Sequence, residues 1–81
     1  MNIEEIRNNV RKAVQEYLES PEQWDDAMLA VDPANSEVRI IELEEAESLP
    51  DDIDEYDMME FIEMTPDGKW QVDDDAIAAI E

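Results

Sequence analysis

The strongest constraint on the fold of this chain is a run of acidic residues in its middle. The stretch from Ile41 to Met64 contains eleven carboxylates and no Lys, Arg or His. Over all 81 residues, 25 acids face 5 bases, which gives a formal net charge of −20 at neutral pH. This charge opposes compaction, and ionised carboxylates are costly to bury without a partner. The carboxylates of such a run usually form a solvated face of the fold.

The apolar residues nevertheless predict a folded chain. They make up 43% of the sequence, there is a single Gly, and the apolar positions recur with regular periods. We expect one small α+β domain over residues 1–81. A domain of this size buries only about 60% of its unfolded surface. A homodimer or a tightly bound partner would each supply further burial.

The N-terminal segment predicts an amphipathic helix over residues 3–19. Asn2 and Glu5 have the spacing of a capping box at its start. The apolar residues of the segment fall on one helical stripe, formed by Ile3, Ile6, Val10, Val14, Tyr17 and Leu18.

Most of the positive charge of the chain lies in this same segment. Residues 1–20 hold three bases and four acids, a net −1, so residues 21–81 carry the remaining −19. Arg7, Arg11 and Lys12 have two interpretations. They pair with neighbouring carboxylates of the fold, or they form a docking patch.

A β-hairpin is predicted after the helix. Ser20 and Pro21 favour a helical turn over residues 21–25. Two apolar runs, predicted as strands 27–32 and 37–43, flank a turn sequence in which Asp32 precedes Pro33 and Asn35 suits a left-handed backbone.

The second strand of this hairpin has apolar residues on both faces. Val38 and Ile40 point one way, and Ile41 and Leu43 point the other. One face has to pack on the N-terminal helix. The second face or the open edge is available to another chain.

The remainder of the chain predicts two short helices. Residues 44–55 form a charged connection interrupted by Pro50, followed by a helix over 57–63 and a Pro-Asp-Gly turn over 65–68. A last helix over 74–80 has Asp73 as its cap and a hydrophobic staple between Val72 and Ile77. The fold predicted is a helix packed on a hairpin and followed by two short helices, in the order α-β-β-α-α.

Residue types exclude several classes of function. The absence of Cys and His removes disulfides, thiolate chemistry and the usual general base of a nucleophilic site. We expect no enzyme and no cofactor. The first twenty residues have no continuous apolar stretch, and no run approaches the roughly 18 apolar residues of a membrane span. A cytoplasmic protein that contacts neither membranes nor nucleic acid directly is expected, because those partners require Lys and Arg.

A calcium loop is the weakest of three functional hypotheses. Asp52, Asp54, Glu60 and Glu63 match positions 1, 3, 9 and 12 of the twelve-residue template. Position 6, however, is Asp57, where the sharp turn requires Gly.

The leading hypothesis is a non-enzymatic, acidic protein-interaction module, either monomeric or homodimeric, whose partner is a neutral or basic protein. The alternative is a DNA mimic, because carboxylates about 5 to 6 Å apart on a helix imitate a row of phosphates. The plainer interpretation is that the acids only keep the chain soluble and that the large apolar side chains form its core. The candidate apolar interface consists of Met58, Met59 and Phe61. The candidate acidic surface consists of Glu44, Glu45, Glu47, Asp51, Asp52, Asp54, Glu55, Asp57, Glu60 and Glu63.

Overall fold

A computed structural model describes residues 2–24 and 26–80. The domain is α+β, with one long helix, a three-stranded antiparallel sheet, a second small hairpin and two short helices. The helices are α1 (Ile3–Glu19), α2 (Leu43–Ala46) and α3 (Asp74–Ala78), with 3₁₀ turns at Pro21–Gln23 and Met58–Phe61. The strands are β1 (Ala27–Asp32), β2 (Glu37–Glu42), β3 (Asp54–Asp57), β4 (Ile62–Met64) and β5 (Trp70–Val72).

The main sheet has the order β2-β1-β3, and both of its strand pairs are antiparallel. Leu29 pairs with Ile40 and Tyr56, whereas Ala30 pairs with Arg39 and Glu55. Paired residues share a face and neighbours along a strand alternate. The sheet therefore has an α1 face, which contains Leu29, and an α2 face, which contains Ala30.

The predicted N-terminal helix is confirmed, and it covers the α1 face. Asn2 accepts a hydrogen bond from the Glu5 amide at 3.2 Å. The Asn2 amide donates to the Ser36 hydroxyl at 3.4 Å, so only half of the predicted capping box forms. The main core contains the buried side chains of Ile6, Val10, Ala13, Val14, Leu29, Val31, Met58, Phe61, Ile62, Ile77 and Ile80.

The predicted hairpin is also confirmed, with small differences. Asp32 organises its turn by accepting hydrogen bonds from the Ala34 amide at 3.0 Å and the Asn35 side chain at 2.9 Å. The left-handed residue is Ser36, with φ 58°, and not Asn35. The second strand ends at Glu42, because Leu43 already begins α2. Of the helical turn predicted over 21–25, residues 21–23 form a 3₁₀ turn and Asp25 lies outside the described residues.

The helix predicted over residues 57–63 is wrong. Asp57 ends β3, the next four residues form a 3₁₀ turn, and Ile62 begins β4. Asp57 caps this turn by accepting from the Met59 amide at 3.1 Å. The predicted turn over 65–68 then returns the chain into β5, with Gly68 at φ +82°. Strand pairing with β5 thus competes with the helix, and the order α-β-β-α-α becomes α-β-β-α-β-β-β-α.

The predicted connection over 44–55 is a second layer of the fold. It begins with α2 and ends in β3, and between them Leu49 and Ile53 turn inward. They pack with Met28 around the buried side chains of Ala30, Ile41 and Ala46. The apolar α2 face of the sheet is therefore covered by its own chain.

The last helix is confirmed but is shorter than predicted, ending at Ala78 and not at residue 80. Asp73 caps it by accepting from the Ala76 amide at 3.1 Å. Ile77 is buried in the main core and the half-buried Val72 packs against that core, as expected of the predicted staple.

Candidate interaction surface

Seven of the ten predicted acidic residues lie on the α2 side of the sheet. Glu55 and Asp57 are paired with Ala30 and Met28, so their side chains share the α2 face. The layer that covers this face supplies the other five carboxylates. All seven residues are exposed. We call this set the acidic surface: Glu44, Glu45, Glu47, Asp51, Asp52, Glu55 and Asp57.

The remaining three predicted acids lie elsewhere. Asp54 is on the α1 face, since it pairs with Val31. Glu63 lies on β4 and accepts a hydrogen bond from the Gln71 side chain at 2.6 Å. Glu60 accepts from the Asp57 amide at 3.3 Å and completes the capping box of the 3₁₀ turn. The ten predicted acids therefore do not all share the α2 side, and these three are not part of the surface that the other seven form.

The pKa of Tyr56 responds to the charges near the edge of β3. Its side chain packs against the main core, and its ring meets that of Phe61 edge to face at 5.7 Å. Burial raises the pKa of the Tyr56 hydroxyl, and the nearby carboxylates of Asp54 and Glu60 raise it further. The same strand thus directs Tyr56 inward and Glu55 and Asp57 outward.

The cations are concentrated away from the acidic surface. Arg7 donates to the Ile80 carbonyl at 2.8 Å and to Glu4 at 3.1 Å, and Arg11 donates to Asp74 at 2.9 Å. The bonds to Asp74 and Ile80 join α1 to α3 and to the residues that follow it, and they confirm the interpretation of both arginines as partners within the fold. Within residues 2–24 and 26–80, Arg39 is the one cation on the α2 face, and it is paired with Glu45 at 2.8 Å.

Of the three residues of the predicted apolar interface, only Met59 has an exposed side chain. Met58 and Phe61 are 1% and 3% exposed and belong to the main core, whereas Met59 is 53% exposed. A 3₁₀ helix has three residues per turn, so Met58 and Phe61 fall on the same side and Met59 on another. The i, i+3 spacing of a 3₁₀ turn is the signal that would have separated them.

Two further exposed side chains extend the apolar surface around Met59. Leu43 is 44% exposed and Trp70 is 46% exposed. One hollow of about 380 Å³ lies between Leu43 and Met59, and another of about 500 Å³ lies between Met59 and Trp70. Asp57 lines the first hollow, so apolar and acidic surfaces meet there. We call Leu43, Met59 and Trp70 the apolar strip.

The residues of the proposed calcium loop do not form a loop. Asp54 lies on β3, Glu60 in the 3₁₀ turn and Glu63 on β4. Within the described part of the chain, no three carboxylates come together as a metal-binding group. Residues of this segment pair in two different strands, β3 and β4. This pairing separates the carboxylates that a bound cation would need close together.

These features define a small α+β domain with an acidic surface on one side of its sheet. Comparisons with protein-family models, with curated proteins and with solved structures find no match to this chain. No helix among residues 2–24 and 26–80 is long and apolar enough to cross a membrane.

Proposed function

We propose that this protein is a non-enzymatic interaction module that binds a basic surface of another protein. The observation that carries the proposal is the acidic surface, whose seven exposed carboxylates lie on one side of the sheet and face a single paired cation among the described residues. A field of this kind steers a basic partner towards the site and rejects acidic ones.

The apolar strip gives this surface a source of affinity besides charge. Ion pairs exposed to water contribute little, because solvent and salt screen them. Large side chains that become buried at the centre of an interface contribute most of its binding energy. Met59 and Trp70 are side chains of this type, and the hollow lined by Met59 adjoins the acidic surface at Asp57.

Imitation of nucleic acid is the second candidate, and the geometry of β3 favours it. Glu55 and Asp57 are two residues apart on a strand, which separates them by about 6.6 Å. This spacing is close to the distance of about 5 to 6 Å between carboxylates on a helix that imitate a row of phosphates. A basic nucleic-acid-binding protein is the partner that this version requires.

The experiment uses the protein as bait in a lysate of its native cell, at low salt and at about 0.5 M NaCl. A surface variant carries Glu44→Gln, Glu47→Gln, Asp52→Asn and Glu55→Gln. A control variant carries Glu5→Gln, Glu19→Gln, Glu22→Gln and Asp67→Asn, all exposed positions outside the acidic surface. Both variants change the charge by the same amount, and neither touches an ion pair within the fold.

We expect a basic protein that is retained at low salt by the wild type and by the control variant and is lost by the surface variant. Retention of the same proteins by all three baits would contradict the proposal. Duplex DNA added to the wild-type capture separates the two candidates. Displacement of the partner by DNA supports the mimic, and retention supports binding to a basic surface without a nucleic-acid site. Light scattering on the bait reports whether it is a homodimer.

A further inference from the structure

The outer edge of β2 is open in this fold. The sheet order makes β2 an edge strand six residues long, paired only with β1. Among the described residues, no hydrogen bond reaches the outward amides and carbonyls of Glu37–Glu42; the Asn9 side chain bonds the Ser36 carbonyl just before it, at 2.7 Å. An unpaired edge of this length is a template for another strand.

A groove of about 550 Å³ runs along this edge. On the strand side it is lined by four consecutive residues, 37–40. Since consecutive side chains alternate between faces, a groove that touches all four follows the edge and not one face. The wall opposite β2 is formed by four residues of α1, spaced three, one and three residues apart so that they lie on one side of the helix. Trp24 completes the lining of the groove. The lining residues on α1 are Asn9, Lys12, Ala13 and Glu16.

The dimensions of the groove suit an extended chain. The α1 stripe runs over eight residues, whose seven helical rises cover about 10 Å. The four residues of β2 also span about 10 Å. Three or four residues of an added strand fit between them, with their outer side chains directed alternately towards the α1 face and the α2 face.

Charge distinguishes this edge from the other edge of the same sheet. The β3 edge carries three acids in its four residues, Asp54–Asp57. These charges protect the edge from strand addition by segments that lack basic residues and by copies of this chain. The β2 groove contains two cations and two acids, and its Arg39 is already paired with Glu45. Lys12, Glu16 and Glu37 then leave a local excess of one negative charge.

These charges also decide between the occupants of the groove. A second copy would bring a chain of net charge −20 against a chain of net charge −20, which opposes pairing of two β2 edges. We infer that the groove between α1 and β2 binds an extended segment of another protein by strand addition, with apolar side chains alternating with basic ones. The apolar side chains meet Trp24, Val38 and Ile40, and the basic ones lie near Glu37. None of the seven residues of the acidic surface lines this groove, whose Arg39 is paired with Glu45 of that surface, and the site goes beyond the function proposed above.

The test uses a synthetic, terminally blocked peptide of alternating Val and Lys and a series of the same peptide with one backbone amide N-methylated at a time. All members have the same charge, so general attraction to an acidic protein is equal for them. In strand addition only every second amide donates to the neighbouring strand. We expect N-methylation to weaken binding about tenfold at alternate positions and to have little effect between them, because a single lost hydrogen bond has about this effect. Equal weakening at all positions, or none at any, would overturn the proposal.

Two further readouts locate the peptide. The Trp70→Phe variant leaves Trp24 as the reporter in the groove, and the Trp24→Phe variant leaves Trp70 as a matched reporter outside it. Peptide should change the fluorescence of Trp24 and leave that of Trp70 unchanged. Amide chemical-shift changes confined to the acidic surface would show that the peptide binds at another site. A mass by light scattering that doubles with protein concentration and falls when peptide is added would show that a second copy occupies the groove.

Discussion

The two faces of the central sheet carry different amounts of buried apolar surface. Eleven buried residues form the core on the α1 face, and three form the cluster on the α2 face. The ten predicted acidic residues divide the other way, since seven of them lie on the α2 side. The α1 face therefore provides most of the stability of the domain, and the α2 face carries a thin apolar layer that positions charge.

The largest effect that tests this comparison is expected in the main core. Leu29 is fully buried on the α1 face at the centre of the sheet. Leu29→Ala removes buried apolar surface and leaves a cavity, so the free energy of unfolding should fall by about 3 kcal/mol. Denaturant unfolding followed by circular dichroism measures the change. A loss below about 1 kcal/mol would mean that the α1 face is not the main source of stability.

A smaller loss is expected from a substitution in the layer that covers the other face. Ile53 is half-buried over Ala30 and Ile41, so Ile53→Ala should lower the free energy of unfolding by about 1 kcal/mol. The main core does not include this side chain, and the unfolding transition should stay cooperative. The same denaturant measurement on both variants gives the comparison. An Ile53→Ala loss as large as that of Leu29→Ala would remove the distinction between the two faces.

Salt should stabilise the wild type by less than about 1 kcal/mol, because screening weakens repulsion among exposed carboxylates that each contribute little. The surface variant with four neutralised carboxylates should gain less from salt than the control variant. Thermal melts from low salt to about 0.5 M NaCl measure this. Equal gains in both variants would show that repulsion depends on net charge and not on the acidic surface.

The smallest predicted effect is at high pH and concerns Tyr56. Its pKa is raised in the folded state above the ordinary value of 10.0 by burial and by Asp54 and Glu60. The folded state then holds the proton more tightly, so this contribution to stability is complete below about pH 10 and is lost as pH rises through the folded pKa.

Tyrosinate absorbance of the Tyr17→Phe variant, which leaves Tyr56 as the only tyrosine, should show a folded pKa above that of the same variant in urea. Tyr56→Phe should remove this part of the alkaline loss of stability. A pKa unchanged by unfolding would place Tyr56 in a more solvated position than its contact with Phe61 implies.

The sequence predicts the parts of this fold whose periodicity is strong. Helix α1 has an apolar stripe over its whole length, and the hairpin has turn chemistry at Asp32 and Pro33 between two apolar runs. The segment after Asp57 is different. Its acids and methionines fit a short helix as well as a 3₁₀ turn followed by a strand, and pairing with β5 decides between them.

The candidate site was predictable in composition and only partly in geometry. The acidic residues are evident from the sequence, but their division between two faces depends on the register of β3 against β1. The cover of the α2 face was missed because Ala46, Leu49 and Ile53 have helical spacing but Pro50 interrupts any helix through them, so the segment was interpreted as a charged connection. An open edge of the hairpin was expected, but its position at β2, the groove beside it and the exposure of Leu43 were not, because they are properties of the assembled sheet.

The layer over the α2 face holds its carboxylates in position, and amide hydrogen exchange measures how firmly it does so. The Leu49 amide donates to the Ala46 carbonyl at 3.3 Å, and the Ile53 amide donates to the Pro50 carbonyl at 3.1 Å. Both amides should exchange more slowly than in the unfolded chain, and the Ile53→Ala variant should reduce their protection before that of β1. Exchange at the unfolded rate throughout residues 44–53 of the wild type would contradict the claim.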